Sequence, residues 1–245
     1  MAQDTTTVQG VPASSLRSII LHLAKRVEGL LNRQASSDTP SRILVALAGV
    51  PGSGKSTVSA ALLEELAARG ITDIAVVPMD GFHLTKKQLS ALPDPEKAFA
   101  RRGAPFTFDA SSFLSLIQSL AATPLPTPPS PSSEAILYAP DFDHALQDPV
   151  QDGIPISSRM RLIIVEGNYV LLDEELWRGI AALCAEKWFV DTPREVVMER
   201  LVRRHLAAGI ETDVGEAVKR VEANDLPNGD VIRERLIKPD VFVEN

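Results

Sequence analysis

The 245-residue sequence has a single cysteine, Cys184, so no internal disulfide can form; its apolar helical surroundings predict a buried structural thiol and a reducing compartment. It also has no excess of positive charge. With 25 Lys and Arg against 32 Asp and Glu, the formal net charge is −7, which speaks against the broad cationic footprint of a nucleic-acid binder. Long apolar runs are missing as well: the longest, 43–50, is interrupted by a glycine and falls far short of the ~20 residues that span a bilayer. The first ten residues, MAQDTTTVQG, have neither the basic nor the apolar part of a secretory signal. A cytoplasmic protein with a small-molecule partner, no nucleic acid and no membrane is the expectation. No internal repeat is present, and the oligomeric state leaves no mark on the pattern, a homodimer being the general expectation.

What is there is an alternation of apolar strands and amphipathic helices. After a flexible segment at 1–12, the apolar residues Leu16, Ile19, Ile20, Leu23, Val27, Leu30 and Leu31 recur at steps of three and four, which predicts a helix over 13–34. RILVALAG at 42–49 is an almost continuous run of the kind buried on both faces of a parallel sheet. Further strands are predicted at 73–78, 161–166, 187–191 and 240–243, with helical patterns at 55–69, 110–121, 173–185, 193–208 and 213–224. That order predicts a wound, mainly parallel α/β sheet flanked by helices, in a single domain over 13–245. The proline-rich stretch 122–134 reads as an exposed loop within that domain rather than a linker, because the strands after it complete the same sheet.

At the end of the first strand, GVPGSGKST (49–57) matches G-x-x-x-x-G-K-[ST] in the strand-to-helix context that this motif requires. Gly49, Gly52 and Gly54 are expected to take positive φ, so that main-chain N–H groups, with Pro51 and Ser53 between them, line an anion nest at a helix N-terminus. Lys55 then reaches the β- and γ-phosphates of a nucleotide, Ser56 offers a hydroxyl to Mg²⁺, and Thr57 closes the set of nucleotide-binding residues. A P-loop is shared by kinases, GTPases and motor ATPases, so the neighbouring motifs decide between them. No N-K-x-D or T-K-x-D guanine-reading sequence is present, and the third strand ends in Glu166 rather than Asp.

MDGFH (79–83) follows the second strand directly, at the carboxyl edge where ligands of open α/β sheets bind. Asp80 there is placed to accept a hydrogen bond from a substrate hydroxyl, its bland alternative being a turn residue; His83 serves equally as a packing group or a substrate contact.

Taken in order, GVPGSGKST, MDGFH, RRGAPFTFD (101–109), PDFDHALQDPV (140–150), IIVEGNYVLLD (163–173) and the arginine-rich 194–205 resemble the phosphoribulokinase and uridine kinase family over residues 40–240. The nearest branch is that of bacterial-type pantothenate kinase and the nucleoside and sugar kinase-like proteins. The resemblance implies a three-layer P-loop fold with an arginine-bearing lid, ATP and Mg²⁺ as cofactors, and phosphoryl transfer to a metabolite hydroxyl: nucleoside, sugar or pantothenate-like acid. By the same resemblance Asp80 is the base, and Glu166 lies near Mg²⁺ and the acceptor. Arg101 and Arg102 belong to a turn that closes over the acceptor. Phe142, Asp143 and His144 border that pocket, and Tyr169 follows the glutamate motif into it. Arg200, Arg203 and Arg204, spaced as neighbours on one helix face, resemble lid arginines, Arg200 and Arg204 acting in transfer and Arg203 holding nucleotide. A regulatory protein that binds nucleotide without transfer, and a plain ATPase, are the alternatives. Gly81-Phe82-His83 departs from the hydroxylated residue and aromatic usual in uridine kinases, which speaks against uridine as the acceptor.

Overall fold

The structure is a computed structural model that describes residues 16–37, 41–126 and 134–245. The amino-terminal segment 1–12, the start of the predicted first helix and the centre of the proline-rich loop lie outside the described residues.

Five parallel strands form the main sheet: β1 (Ile43–Gly49), β2 (Ile74–Pro78), β5 (Leu162–Gly167), β6 (Glu186–Asp191) and β7 (Val241–Glu244), in the order β2-β5-β1-β6-β7. The helices are α1 (Leu16–Ala35), α2 (Lys55–Ala68), α3 (Lys86–Ser90), α4 (Pro95–Ala100), α5 (Ala110–Ala122), α6 (Glu175–Leu183), α7 (Arg194–Ala207), α8 (Val214–Arg220) and α9 (Leu226–Glu234). The remaining strands, β3 (Ile136–Asp143) and β4 (Asp148–Ser157), form a separate antiparallel hairpin.

Period-two alternation of β1 explains why its sequence is apolar throughout. Val45 and Leu47 face α1 and α2, together with Leu23, Val27, Leu62 and Trp188. Leu44, Ala46 and Ala48 face the other way, onto a core with Phe113 and Ile117 of α5, Trp177 of α6 and Leu201 of α7. Both faces are covered, as a parallel sheet requires, and each fully buried Leu or Phe contributes about 1.5–3 kcal/mol. Among the described residues no helix is long and apolar enough to cross a membrane.

Register brings the motifs to one edge. Glu166 pairs with Leu47 on one side and Pro78 on the other, so the ends of β1, β5 and β2 lie side by side, and Gly49 is level with Val190 of β6.

Two regions depart from the expected pattern. The hairpin is exposed ribbon with prolines at 140, 149 and 155, and its register shifts between Ala139 and Asp141. The predicted helix at 213–224 stops being regular sooner and then runs further: α8 passes through one wide π-helical turn, Val221–Asp225, into α9. Pro227 sits in the first turn of α9, directly after the wide turn, and has no N–H to continue the helical ladder back into it.

Candidate active site

The phosphate loop is shaped by glycines in two different ways. Gly52 and Gly54 take φ of 76° and 89°, where a side chain would be strained. Gly49, contrary to the expected positive φ, is required for space: a Cβ there would lie 2.5 Å from Ser53 Oγ and 2.7 Å from the Val190 carbonyl. Gly54 is the N-cap of α2 and supplies no side chain, so no capping side chain covers the helix's first N–H groups. The loop is braced from behind at the Ser53 carbonyl, which accepts hydrogen bonds from Thr192 Oγ1 (3.0 Å), Asn245 Nδ2 (2.8 Å) and Arg200 Nη1 (3.3 Å).

In front of the loop, two cations and two carboxylates face one another. Burial pushes the Lys55 ammonium below its ordinary pKa and Arg204 adds to that, while Glu166 and Asp80 pull it back up. Neither Lys55 nor Arg204 has an ion-pair partner among the described residues, and the Asp80 carboxylate makes no hydrogen bond there. All three line one cavity of about 400 Å³ with Pro51, His83 and Asn168. Glu166, only 7% exposed, accepts hydrogen bonds from Ser56 Oγ at 2.9 Å and Ser59 Oγ at 3.2 Å. A hydroxyl and a carboxylate this close, both hard oxygen donors beside the phosphate loop, suit Mg²⁺. Thr57 is exposed on the first turn of α2.

Both glycines that follow the acidic residues are explained by contact. A Cβ on Gly81 would lie 2.0 Å from the Pro140 carbonyl oxygen, which the bulge in β3 presses against it. One on Gly167 would lie 2.4 Å from Met79 Cβ. The 79–82 turn that carries Asp80 is thus wedged between the hairpin and the end of β5.

Across the cavity, His83 is stacked between Phe108 and Phe142, with ring centroids 4.0 and 4.8 Å away. Its Nδ1 lies 2.8 Å from the Asp80 carbonyl, which can only accept, so Nδ1 carries the proton and Nε2 of the neutral ring is an acceptor. Burial lowers its pKa, reinforced by Arg102 and His144 and opposed by Asp80.

The remaining wall was not found by sequence reading. His205, Arg220, Asn224, Asp225 and Asn228 line the cavity from α7, α8, the π turn and α9. His205 Nε2 lies 2.8 Å from Asp225 Oδ2, and Asn224 Nδ2 donates to the Arg102 carbonyl at 2.8 Å. A signal existed: the N-D-x-x-N run at 224–228 puts three polar residues into a helix whose neighbours Val221, Leu226 and Ile232 are core.

Other residues singled out by sequence sit elsewhere. Arg102 lines the cavity, yet its guanidinium is held by the Gln147 and Leu84 carbonyls and by Asp148, over the Phe142 ring. Arg101 points away, into a second cleft, and donates to Asn228 Oδ1 at 2.9 Å. His144 lines the cavity, whereas Asp143 closes the hairpin turn by accepting from the N–H groups of Ala145 and Leu146. Tyr169 is a correction: at 0% exposure it belongs to the core, where its hydroxyl donates to the Gly103 carbonyl and holds the basic turn from below. The three lid arginines do not share a face either. Arg204 enters the cavity, Arg200 binds the back of the phosphate loop, and Arg203 pairs with Glu199 on the exposed side. No group of three or more His, Cys, Asp or Glu that could hold a metal ion by itself is found among the described residues.

No family model matches the sequence. A candidate uridine kinase of Schizosaccharomyces pombe is 37% identical over 204 residues, covering 83% of each chain. An ATP-dependent kinase-like protein of Aspergillus versicolor, notR', is 44% identical over 159 residues, 64% of this chain and 89% of that one. Among solved structures, a candidate fructose transport system kinase from Silicibacter sp. TM1040 superposes with a TM-score of 0.73 at 34% identity, over 90% of this chain and 98% of that one. With the phosphate loop, the acidic pair at the sheet edge and these relatives in agreement, the chain belongs to the phosphoribulokinase/uridine kinase family of P-loop kinases.

Proposed function

We propose that this chain is an ATP-dependent kinase that transfers the γ-phosphoryl group to a hydroxyl of a neutral, polyhydroxylated metabolite such as a sugar or nucleoside. The observation that carries the transfer reading is that Lys55 and Arg204, neither held in a close ion pair among the described residues, line one cavity with the carboxylate of Asp80. Both cations can therefore turn to an anion, and the uncapped start of α2 lies beside them. In this reading Lys55 and Arg204 neutralise charge that develops on the phosphoryl oxygens. Ser56 and Glu166 would hold Mg²⁺, which when bound would supply positive charge that shields the phosphates. Asp80 accepts a hydrogen bond from the acceptor hydroxyl and aims its oxygen at the γ-phosphorus. The new O–P bond forms as the bond to the β–γ bridging oxygen breaks, ADP departs, and the hydroxyl proton passes late to Asp80. An early deprotonation is excluded because a carboxylate is far too weak a base for an alcohol.

The acceptor class follows from the charges on the far side of the cavity. Arg102 is already held by three partners, and Arg220 pairs with Glu211. The rest of the lining is the His205–Asp225 pair and hydrogen-bonding groups such as those of Gln147, Asn168, Asn224, Asn228, His83 and His144, with the rings of Phe108 and Phe142. Such a wall suits hydroxyls and a ring face better than a carboxylate. The names of the uridine and fructose transport kinase relatives point the same way.

The test is a panel of acceptors scored by ADP release with Mg-ATP. Pentoses, ketohexoses and nucleosides should accelerate release, and glycerate and pantothenate should not. Lys55→Ala should abolish nucleotide-dependent activity, and Asp80→Ala should keep Mg-ATP binding but lose turnover. Acceleration by the acids alone would refute the acceptor class. A panel without any stimulation, or an Asp80→Ala enzyme at nearly full rate, would refute the transfer mechanism.

A further inference from the structure

A second hollow of about 720 Å³ opens behind the basic turn and shares only Phe108 and Asn228 with the reaction cavity. Its charge is unlike that of the molecule. Lys97, Arg101 and Arg235 face two carboxylates, Asp109 and Glu174, so a local excess of positive charge sits in a chain of net charge −7. Both carboxylates are engaged: Glu174 pairs with Arg235 at 2.7 Å, and Asp109 accepts from the Ser112 N–H and hydroxyl. Lys97 and Arg101 therefore have no carboxylate partner among the described residues. Among the described residues the Arg101 guanidinium is bonded only to the neutral Asn228, and its Nε is enclosed without a partner there. The floor between these cations is apolar and partly aromatic, with Phe106 49% and Leu176 39% exposed and Trp177 beneath them.

We propose that this cleft is a second small-molecule site, for an anion with a flat apolar body: the acid group on Arg101 and Lys97, the body over Phe106 and Leu176. Charge-assisted bonds to a guanidinium fix the acid group, and covering exposed Phe and Leu surface supplies the rest. The site does not depend on the kinase reading, since it lies outside the phosphate-binding cavity.

The probe is 1-anilinonaphthalene-8-sulfonate, a monoanion of this shape, titrated by fluorescence against the intact chain. A saturable single site is expected, unaffected by saturating Mg-ATP. Arg101→Gln should weaken it about tenfold or more and Lys97→Gln roughly threefold. The uncharged N-phenyl-1-naphthylamine should bind weakly and ignore both substitutions. Displacement by Mg-ATP would overturn the proposal by assigning the probe to the reaction cavity. Equal binding of the uncharged compound would overturn it by reducing the cleft to an apolar patch. Lys97 is exposed, so Lys97→Gln keeps the test decisive if Arg101→Gln does not fold; wild-type affinity in Lys97→Gln would then overturn the proposal.

Discussion

Gly81→Ala isolates the positioning of Asp80 from its chemistry. The added Cβ would lie 2.0 Å from the Pro140 oxygen, 2.5 Å from its carbonyl carbon and 3.2 Å from the Asp141 nitrogen. All three are backbone atoms, so no side chain can rotate away; to reach a tolerable separation of about 3.2 Å, the turn or the hairpin must move by ~1.2 Å. Asp80 is the neighbouring residue and moves with the turn. A displacement of about 1 Å in a group that aims a nucleophile costs about a hundredfold in rate, equivalent to ~2.7 kcal/mol in the barrier. The overpacking itself should destabilise the fold by about 1–3 kcal/mol. Steady-state kinetics with the best acceptor should thus show kcat down about a hundredfold, with KM for ATP changed less than about twofold because the phosphate loop is untouched. Gly70→Ala is the control for adding a methyl group without a clash: unlike Gly81 it sits at positive φ (78°), and a Cβ there meets nothing within 4 Å. It should lose about 1 kcal/mol of stability and no activity. A Gly81→Ala enzyme that folds and turns over at the wild-type rate would refute the claim that hairpin contact sets the position of Asp80.

Three further outcomes separate residues that sequence reading grouped together. Arg204→Gln should reduce kcat/KM by at least about tenfold, whereas Arg203→Gln, which breaks only an exposed pair with Glu199, should change it less than about twofold; equal effects would contradict the split of the lid arginines. Tyr169→Phe leaves the Gly103 carbonyl without its donor and should cost about 1–3 kcal/mol, read as a fall in Tm, and an unchanged Tm would remove Tyr169 as the prop of the basic turn. Burial holds the Lys55 pKa below its ordinary value in the free protein, and a triphosphate would raise it. Binding of Mg-ATP should therefore take up a proton between the two values, and affinity should fall as pH rises through the free-protein one. Calorimetry in buffers of different ionisation enthalpy measures that uptake, and its absence across the alkaline range would count against Lys55 as the phosphate ligand.

The five strands of the main sheet could be read from sequence because a strand buried on both faces must be apolar at every position, as 43–48 is. Their carboxyl ends then had to meet at one edge, which made Lys55, Asp80 and Glu166 neighbours in space before any coordinate. The β3–β4 hairpin gave no such signal, since an exposed ribbon with three prolines has little apolar pattern to show. Arginine direction was equally hidden. At about 100° per residue, Arg200 and Arg204 lie ~40° apart around α7, but Arg203 and Arg204 lie ~100° apart, so a spacing of three and four spreads over nearly a third of the helix. Arg101 and Arg102 are adjacent in a turn and take opposite sides of it, and no periodicity governs a turn. The polar wall at 224–228 escaped because Pro227 and Gly229 suggest a helix end, whereas the π turn restarts the helix and lets proline sit in its first turn.

The three donors that converge on the Ser53 carbonyl have a consequence for the order in which competence is acquired. They come from positions 139, 147 and 192 residues further along the chain. A ribosome-bound chain long enough to display the whole glycine-rich motif still lacks every strut behind it. Grip on nucleotide should appear only after β7 has docked, making ATP capture a report on the docking of the segment from Thr192 to Asn245 rather than on the motif's own local folding.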